Sequence, residues 1–236
     1  MSVFRNLTEK DVLDSIAEMK KNIEECHILM FCGGFSAGDE PDGSAKFIAN
    51  VINNKDIAEA IRGLIARGGL ILGICNGFQA LVKSGLLPYG DLGKVTKDSP
   101  TLFRNDINRH ISQMATTRVA TTNSPWLAGM SVGDLFTIAV SHGEGKFVVN
   151  EELAKELFAK GQVAFQYVDP IDEEATMESP YNPNGSYYAI EGIISENGQI
   201  LGKMGHSERK GTDICKNVQG DKDQFIFESG VKYFAD

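Results

Sequence analysis

One stretch of this 236-residue sequence gathers residue types suited to covalent chemistry: Leu70-Ile71-Leu72-Gly73-Ile74-Cys75-Asn76-Gly77-Phe78-Gln79-Ala80. An apolar run of strand character enters a Gly-x-Cys-x-Gly turn and leaves as a helical pattern. This is the layout of a nucleophile elbow, a sharp strand-to-helix turn that presents its central side chain above a sheet. Gly73 and Gly77 keep the flanks small enough for that turn. Cys75 is therefore expected in a strained, accessible position at a helix N-terminus, where the macrodipole and free backbone N–H groups favour the thiolate. The plain alternative is a buried core cysteine, as most free cysteines are. The elbow context favours the nucleophile.

A thiolate nucleophile needs a base, and the base needs something to orient it. Of His27, His110, His142 and His206, the first opens an apolar run and reads as structural. His206 lies in Gly205-His206-Ser207-Glu208-Arg209, just after a predicted strand, and residues two apart on extended backbone share a face. Glu208 could then fix the tautomer of His206, leaving the other ring nitrogen for Cys75. Acyl chemistry also needs an oxyanion hole. The Asn76 N–H follows the nucleophile, and the Gly33-Gly34-Phe35 loop offers a second donor, although Gly33-Gly34 also reads as a bare strand-ending turn.

These groups need a scaffold. Thr8 with Asp11 marks a helix start, and Val12, Leu13, Ile16, Met19 and Ile23 recur at helical spacing to about residue 25. Residues 27–31 and 70–74 read as buried strands, and 44–53, 56–67 and 77–83 as helices. That rhythm implies a parallel sheet covered by helices. Further on, residues 114–121, 135–140, 146–149, 163–168, 187–194 and 199–204 are candidate strands and 151–160 a short amphipathic helix. Residues 169–186, with Pro170, Pro180, Pro183 and Asn184-Gly185, read as a loop excursion. No linker divides the chain, so one α/β domain is expected.

Composition bounds the partners. Against 32 acidic side chains stand 23 basic ones, a formal net charge of −9 with no basic run, which argues against nucleic acid. No apolar stretch approaches the roughly 20 residues that cross a bilayer, so no membrane is expected. The N-terminal residues carry no secretory pattern. Four cysteines, at 26, 32, 75 and 215, form no CxxC pair and no zinc-like spacing, so free thiols, no metal and a reducing cytoplasm are expected.

Four segments follow one another as in the class I (triad) glutamine amidotransferases, which this sequence resembles from about residue 5 to residue 211. They are Phe31-Cys32-Gly33-Gly34-Phe35-Ser36-Ala37-Gly38-Asp39, Gly73-Ile74-Cys75-Asn76-Gly77-Phe78-Gln79, Ser141-His142-Gly143-Glu144-Gly145 and Gly205-His206-Ser207-Glu208-Arg209. His-Gly-Glu-Gly, Tyr167-Val168-Asp169 and Asn182-Pro183-Asn184-Gly185-Ser186 are similar to one branch. Its members pass ammonia to a synthase that converts formylglycinamide ribonucleotide to formylglycinamidine ribonucleotide in purine biosynthesis.

The resemblance implies a flavodoxin-like, mostly parallel sheet flanked by helices and a glutaminase domain spanning 1–236 that belongs to a larger synthase chain or complex. It implies Cys75, His206 and Glu208 as the triad, Gly34 and Asn76 as the oxyanion hole, and Gln79, His142, Gly143 and Glu144 as residues that hold glutamine. By itself, the Gly-flanked setting of His142 fits a polar loop turn as well as a substrate loop. No cofactor is implied for this domain; ATP and Mg are expected on the synthase partner, and nothing in this sequence resembles that ATP-binding part. Two departures stand out. The family's usual opening strand and helix, with a Pro-Gly-x-Asn segment, are not seen before the region matching residues 2–6, so the sheet is expected to tolerate the loss, borrow an edge from a partner or fold poorly. Cys32 stands where proline commonly precedes Gly33-Gly34, and no catalytic role is assigned to it. Two other readings use the same elbow: a cysteine peptidase or deglycase-like hydrolase, disfavoured by the late His-x-Glu, and a catalytically silent interaction domain.

Overall fold

The computed structural model describes residues 4–35 and 43–235. Residues 36–39 of the Gly-Gly-Phe-Ser-x-Gly-Asp segment lie outside that range. Helix α1 (Glu9–Glu25) begins at a capping box, in which the Thr8 side chain accepts from Asp11 N–H and the Asp11 carboxylate accepts from Thr8 N–H. Its apolar stripe, Ile16, Met19 and Ile23, packs on the core. Strand β1 (Ile28–Phe31) follows, then helices α2 (Lys46–Ile52) and α3 (Lys55–Ala66). Asn54 caps α3 by accepting from the N–H groups of Asp56 and Ile57.

Strand β2 (Leu70–Ile74) is buried along its whole length, as an all-apolar strand with neighbours on both sides must be. It runs into α4 (Asn76–Ser84) through Cys75 alone. The glycines beside that turn are required by close approach. A Cβ on Gly77 would lie 2.0 Å from the Phe31 carbonyl oxygen, and one on Gly73 would lie 2.8 Å from the Gly77 oxygen.

The main sheet has seven strands in the order β1-β2-β9-β8-β7-β4-β5, where β4 is Ile111–Val119, β5 Leu135–His142, β7 Val163–Tyr167, β8 Ile190–Ile194 and β9 Ile200–Lys203. The α/β class is as expected, and so is the parallel pairing around the elbow, where β2 lies between β1 and β9. Beyond β9 the expectation of a mostly parallel sheet needs correcting, because every remaining pair is antiparallel. For β8 and β9 the reason is connection length. Parallel neighbours need a crossover of about a dozen residues, whereas β8 returns as β9 through a tight turn in which Gly198 N–H donates to Ser195 O.

Other boundaries shift for local reasons. The expected strand at 187–194 starts only at Ile190, since Tyr188 and Ala189 adopt φ of 54° and 58° in a 3-10 turn. The candidate at 146–149 is a strand, β6 (Lys146–Val148), but it pairs with β3 (Thr101–Phe103) in a separate two-stranded sheet. Helix α6 (Glu151–Ala159) follows the expected pattern, and residues 169–186 form a loop that starts exposed and ends buried at Asn182, Asn184 and Ser186, with one isolated bridge beside it, Val168 to Ala175. The short helix α5 (Leu86–Tyr89) and the C-terminal α7 (Ile226–Lys232) complete the elements.

The sheet curls. Although β5 is its far edge strand, His206 N–H, just past β9, donates to Ala139 O of β5 at 2.8 Å. Cys75 Sγ, at the end of β2, contacts Ser141 O at 3.7 Å. Among the described residues no helix is long and apolar enough to cross a membrane. Because the Gly77 contact is with backbone, which cannot step aside, Gly77→Ala is expected to lower unfolding free energy by about 1–3 kcal/mol. Urea denaturation followed by circular dichroism checks this, and an unchanged midpoint would count against the packing described.

Candidate active site

Cys75 takes φ 53° and ψ −107°, outside the ordinary regions for a residue with a side chain. The strain expected of an elbow is therefore present. The expected accessibility is not, since Cys75 is only 5% exposed. The far edge strand β5 folds back over the sulfur, a contact between residues 66 positions apart that local spacing does not reveal. Burial pushes the thiol above its ordinary pKa, while the backbone N–H groups of Asn76 and Gly34 pull the other way, helped by the charge of Arg209. Thus both oxyanion candidates direct their donors at the Cys75 sulfur. Desolvation outweighs these donors, so the thiol lies above its ordinary range, opposite to the lowering at a helix N-terminus that the sequence suggests.

Gly33 shows how tightly the loop is threaded. A Cβ there would sit 2.8 Å from His206 Cε1 and 3.3 Å from Cys75 Cβ, so only glycine passes between nucleophile and ring. Gly34 adopts φ 124°, the left-handed side that suits glycine.

His206 is 3% exposed, and its Nδ1 lies 2.6 Å from Glu208 Oε1. A carboxylate only accepts, so Nδ1 carries the proton and the Nε2 lone pair faces the cleft side. Nε2 is buried without a hydrogen-bond partner; the expected Cys75–His206 bond is not formed, and the thiol turns to Ser141 O instead. Such catalytic bonds often tighten only around substrate. Burial opposes ionisation of Glu208, yet the hydrogen bond from His206 and a backbone N–H hold its carboxyl below the usual range.

Cys75, His206, Gly34, Gln79, His142, Gly143 and Glu144 line a single cleft of about 80 Å³, joined by Phe35, Ser44, Ser141 and Arg209. Asn76 turns its side chain away toward an apolar cavity under the β1 face, leaving its N–H at the sulfur. Gln79 Nε2 donates to Glu144 O, and Glu144 Oε2 accepts from Ser44 N–H at 2.8 Å. Two of the four residues expected at the substrate, Gln79 and Glu144, are thus tied to each other. Among the described residues no cluster of three or more His, Cys, Asp and Glu side chains is placed to hold a metal ion.

Two asparagines that sequence reasoning did not assign hold this loop. Asn105 donates from Nδ2 to His142 O at 2.8 Å and accepts at Oδ1 from Gly145 N–H at 3.1 Å. Asn184 donates from Nδ2 to His142 Nε2 at 3.1 Å and to Gly145 O at 2.8 Å, while its Oδ1 accepts from Ser186. Nothing about the spacing of Asn105 marks it. Asn184 lies in a segment that carries the branch resemblance, but neither that nor its turn signal gave it a role at this loop.

His142 is buried, and burial first, then the nearby His206 and His110, push its pKa down to about 3. Since an amide nitrogen donates to Nε2, the neutral ring carries its proton on Nδ1.

The fold is that of a class I glutamine amidotransferase, and the chain belongs to the CobB/CobQ-like glutamine amidotransferase domain family, which it matches over residues 4–234. It is 36% identical over 217 residues to a phosphoribosylformylglycinamidine synthase subunit PurQ from Koribacter versatilis, covering 91% of this chain and 83% of that one. To the PurQ of Methanococcus maripaludis strain C7 it is 38% identical over 192 residues, 80% of this chain and 68% of the other. Among solved structures, PurLQS from Thermotoga maritima superposes with a TM-score of 0.63 at 26% identity, covering 88% of this chain and 79% of that chain.

The depressed His142 pKa has a definite linkage sign. The unfolded ring takes up a proton below about 6.5 and the folded ring only near 3, so this group's contribution to stability is complete above the unfolded value and is lost as pH falls between the two. The His142 ring signals in NMR are expected to stay in the neutral form from pH 8 down to pH ~4. A midpoint near the ordinary histidine value would contradict the buried placement.

Proposed function

We propose that Cys75, His206 and Glu208 hydrolyse glutamine to glutamate and ammonia, in a chain that serves as the glutaminase component of phosphoribosylformylglycinamidine synthase. The observation that carries the reading is the elbow cysteine with two backbone N–H donors aimed at its sulfur, in one cleft with a buried imidazole whose Nδ1 is tied to a carboxylate. The PurQ relatives supply the branch.

In this mechanism substrate entry displaces the thiol from Ser141 O, and the thiol proton passes to His206 Nε2. The thiolate attacks the side-chain amide carbon of glutamine. The N–H groups of Asn76 and Gly34 take the developing oxyanion, a role worth about 10²–10³ in rate per donor in comparable sites. The imidazolium, stabilised by Glu208, protonates the leaving nitrogen and ammonia departs. A γ-glutamyl thioester remains on Cys75. Water, deprotonated by His206, then attacks the thioester and glutamate is released with the thiol restored. Gln79, through Glu144 O, and the pinned 142–145 loop shape the pocket for the amino-acid end of glutamine.

Residues 1–236 act in this reading as a single glutaminase unit, docked on a synthase partner that uses the ammonia together with ATP and Mg. The steps above use only groups of this chain. A peptidase or deglycase-like activity does not fit a member of the glutamine amidotransferase family.

The test separates the two nitrogen sources. In the complex with the synthase, Cys75→Ala is expected to abolish glutamine-dependent synthesis while leaving ammonia-dependent synthesis within about twofold of the parent. Glu208→Gln, which keeps the shape but loses the charge, is expected to cut glutamine-dependent kcat by about 10²-fold or more. Undiminished glutamine use by Cys75→Ala would overturn the assignment.

A further inference from the structure

Beneath the His206 segment lies an ion pair that the mechanism does not use. Lys203 Nζ and Glu191 Oε1 are 3.2 Å apart, and both side chains are 0% exposed. They project from adjacent antiparallel strands, Lys203 at the end of β9 and Glu191 near the start of β8. Lys203 also stands over the Phe165 ring at 5.3 Å. A fully buried pair of this kind is weak as a source of stability, because the desolvation cost of two charges consumes most of their attraction. Its placement points to a different use.

Both charged heads close on Gly205. Glu191 Oε1 accepts from Gly205 N–H at 2.5 Å, and Lys203 Nζ donates to Gly205 O at 3.0 Å. The peptide unit that contributes Gly205 O also contributes His206 N–H, which donates to Ala139 O on β5 at 2.8 Å. One edge of that plane is therefore held by Lys203 and the opposite edge by the far strand of the sheet. The preceding peptide is held by Glu191. At Gly205 itself a Cβ would fall 2.8 Å from Glu191 Oε1, 3.0 Å from Lys203 Nζ and 2.0 Å from Ile138 Cδ1, so the charged groups occupy the space of a side chain. Glu191 Oε2 is left buried and unpartnered, a cost that packing alone does not explain.

We propose that the buried Lys203–Glu191 pair is a positioning device that clamps the two peptides flanking Gly205 and so sets where the His206 ring stands relative to Cys75. Neither residue touches substrate; both act through His206. The inference rests on the glutaminase reading above. The direction of the field agrees with it, since Lys203 also favours the ionised form of Glu208.

Replacing the pair by apolar residues of similar size, Glu191→Leu with Lys203→Met, removes the clamp without leaving a lone buried charge. Assayed as the full chain with its synthase partner, the double variant is expected to keep a melting temperature near the parent's. Its kcat for glutamine hydrolysis should fall about tenfold or more, with KM for glutamine within about twofold, the pattern of a misplaced base in an intact pocket. A folded double variant with parental kcat would overturn the proposal, as would an equal loss in kcat/KM carried entirely by KM. Should the double variant fail to fold, Glu191→Gln keeps an acceptor for Gly205 N–H but strips Lys203 of its counter-charge, so that the ammonium is no longer held against Gly205 O and that half of the clamp is released. It is expected to lose kcat about threefold or more at unchanged KM, and parental kcat there would overturn the clamp. If the parent chain itself released no glutamate, the glutaminase reading would fail, a result separate from either outcome for the variants.

Discussion

Everything at this site depends on one backbone conformation, the left-handed φ of 53° at Cys75. A non-glycine residue in that region costs on the order of 1–3 kcal/mol and persists only where its surroundings over-determine it. Here the surroundings do so from three directions. Gly77 lies against the Phe31 carbonyl, Gly73 against the Gly77 carbonyl, and Cys75 N–H donates to Lys203 O on β9 at 2.8 Å. The strained turn is held between two parallel neighbours of β2, which lets it aim a sulfur at two backbone N–H groups instead of relaxing into the helix.

The second constraint is the curl of the sheet. A flat sheet in the observed strand order would leave β5 at the far edge from β1, with the elbow beside that opposite end. Because the sheet rolls, β5 supplies Ala139 O to His206 N–H and Ser141 O to the thiol, and its end leads into the 142–145 loop. Closing the sheet over the elbow also explains the chemistry of the resting state. The same approach that positions His206 removes water from Cys75 and raises its pKa.

What was legible in the sequence follows from what is local. The elbow was readable because strand, Gly-x-Cys-x-Gly and helix are contiguous, and His206 with Glu208 because two residues on extended backbone share a face. The parallel half of the sheet was readable from its strand–helix rhythm. The strands of the antiparallel half were readable as strands, but not their direction, which no local pattern carries; strand β3 and helix α7 were missed because segments as short as Thr101–Phe103 show no period. The burial of Cys75 depended on a strand 66 residues away. Lys203 was invisible for a different reason: lysine in a strand is read as facing solvent, and only the fold shows it sealed against Glu191. Asn105 and Asn184 belong to the same class, since buried amides that satisfy a loop leave no periodic trace.

In the proposed reaction Cys75, and not the exposed Cys32 nearby in the oxyanion loop, forms the covalent bond to substrate. Acid-quenching the complex during steady-state turnover of glutamine, followed by digestion and mass spectrometry, distinguishes the two thiols. A γ-glutamyl thioester confined to the peptide that carries Cys75 is expected. Turnover at full rate with the adduct on Cys32, or with no adduct at any quench time, would contradict it.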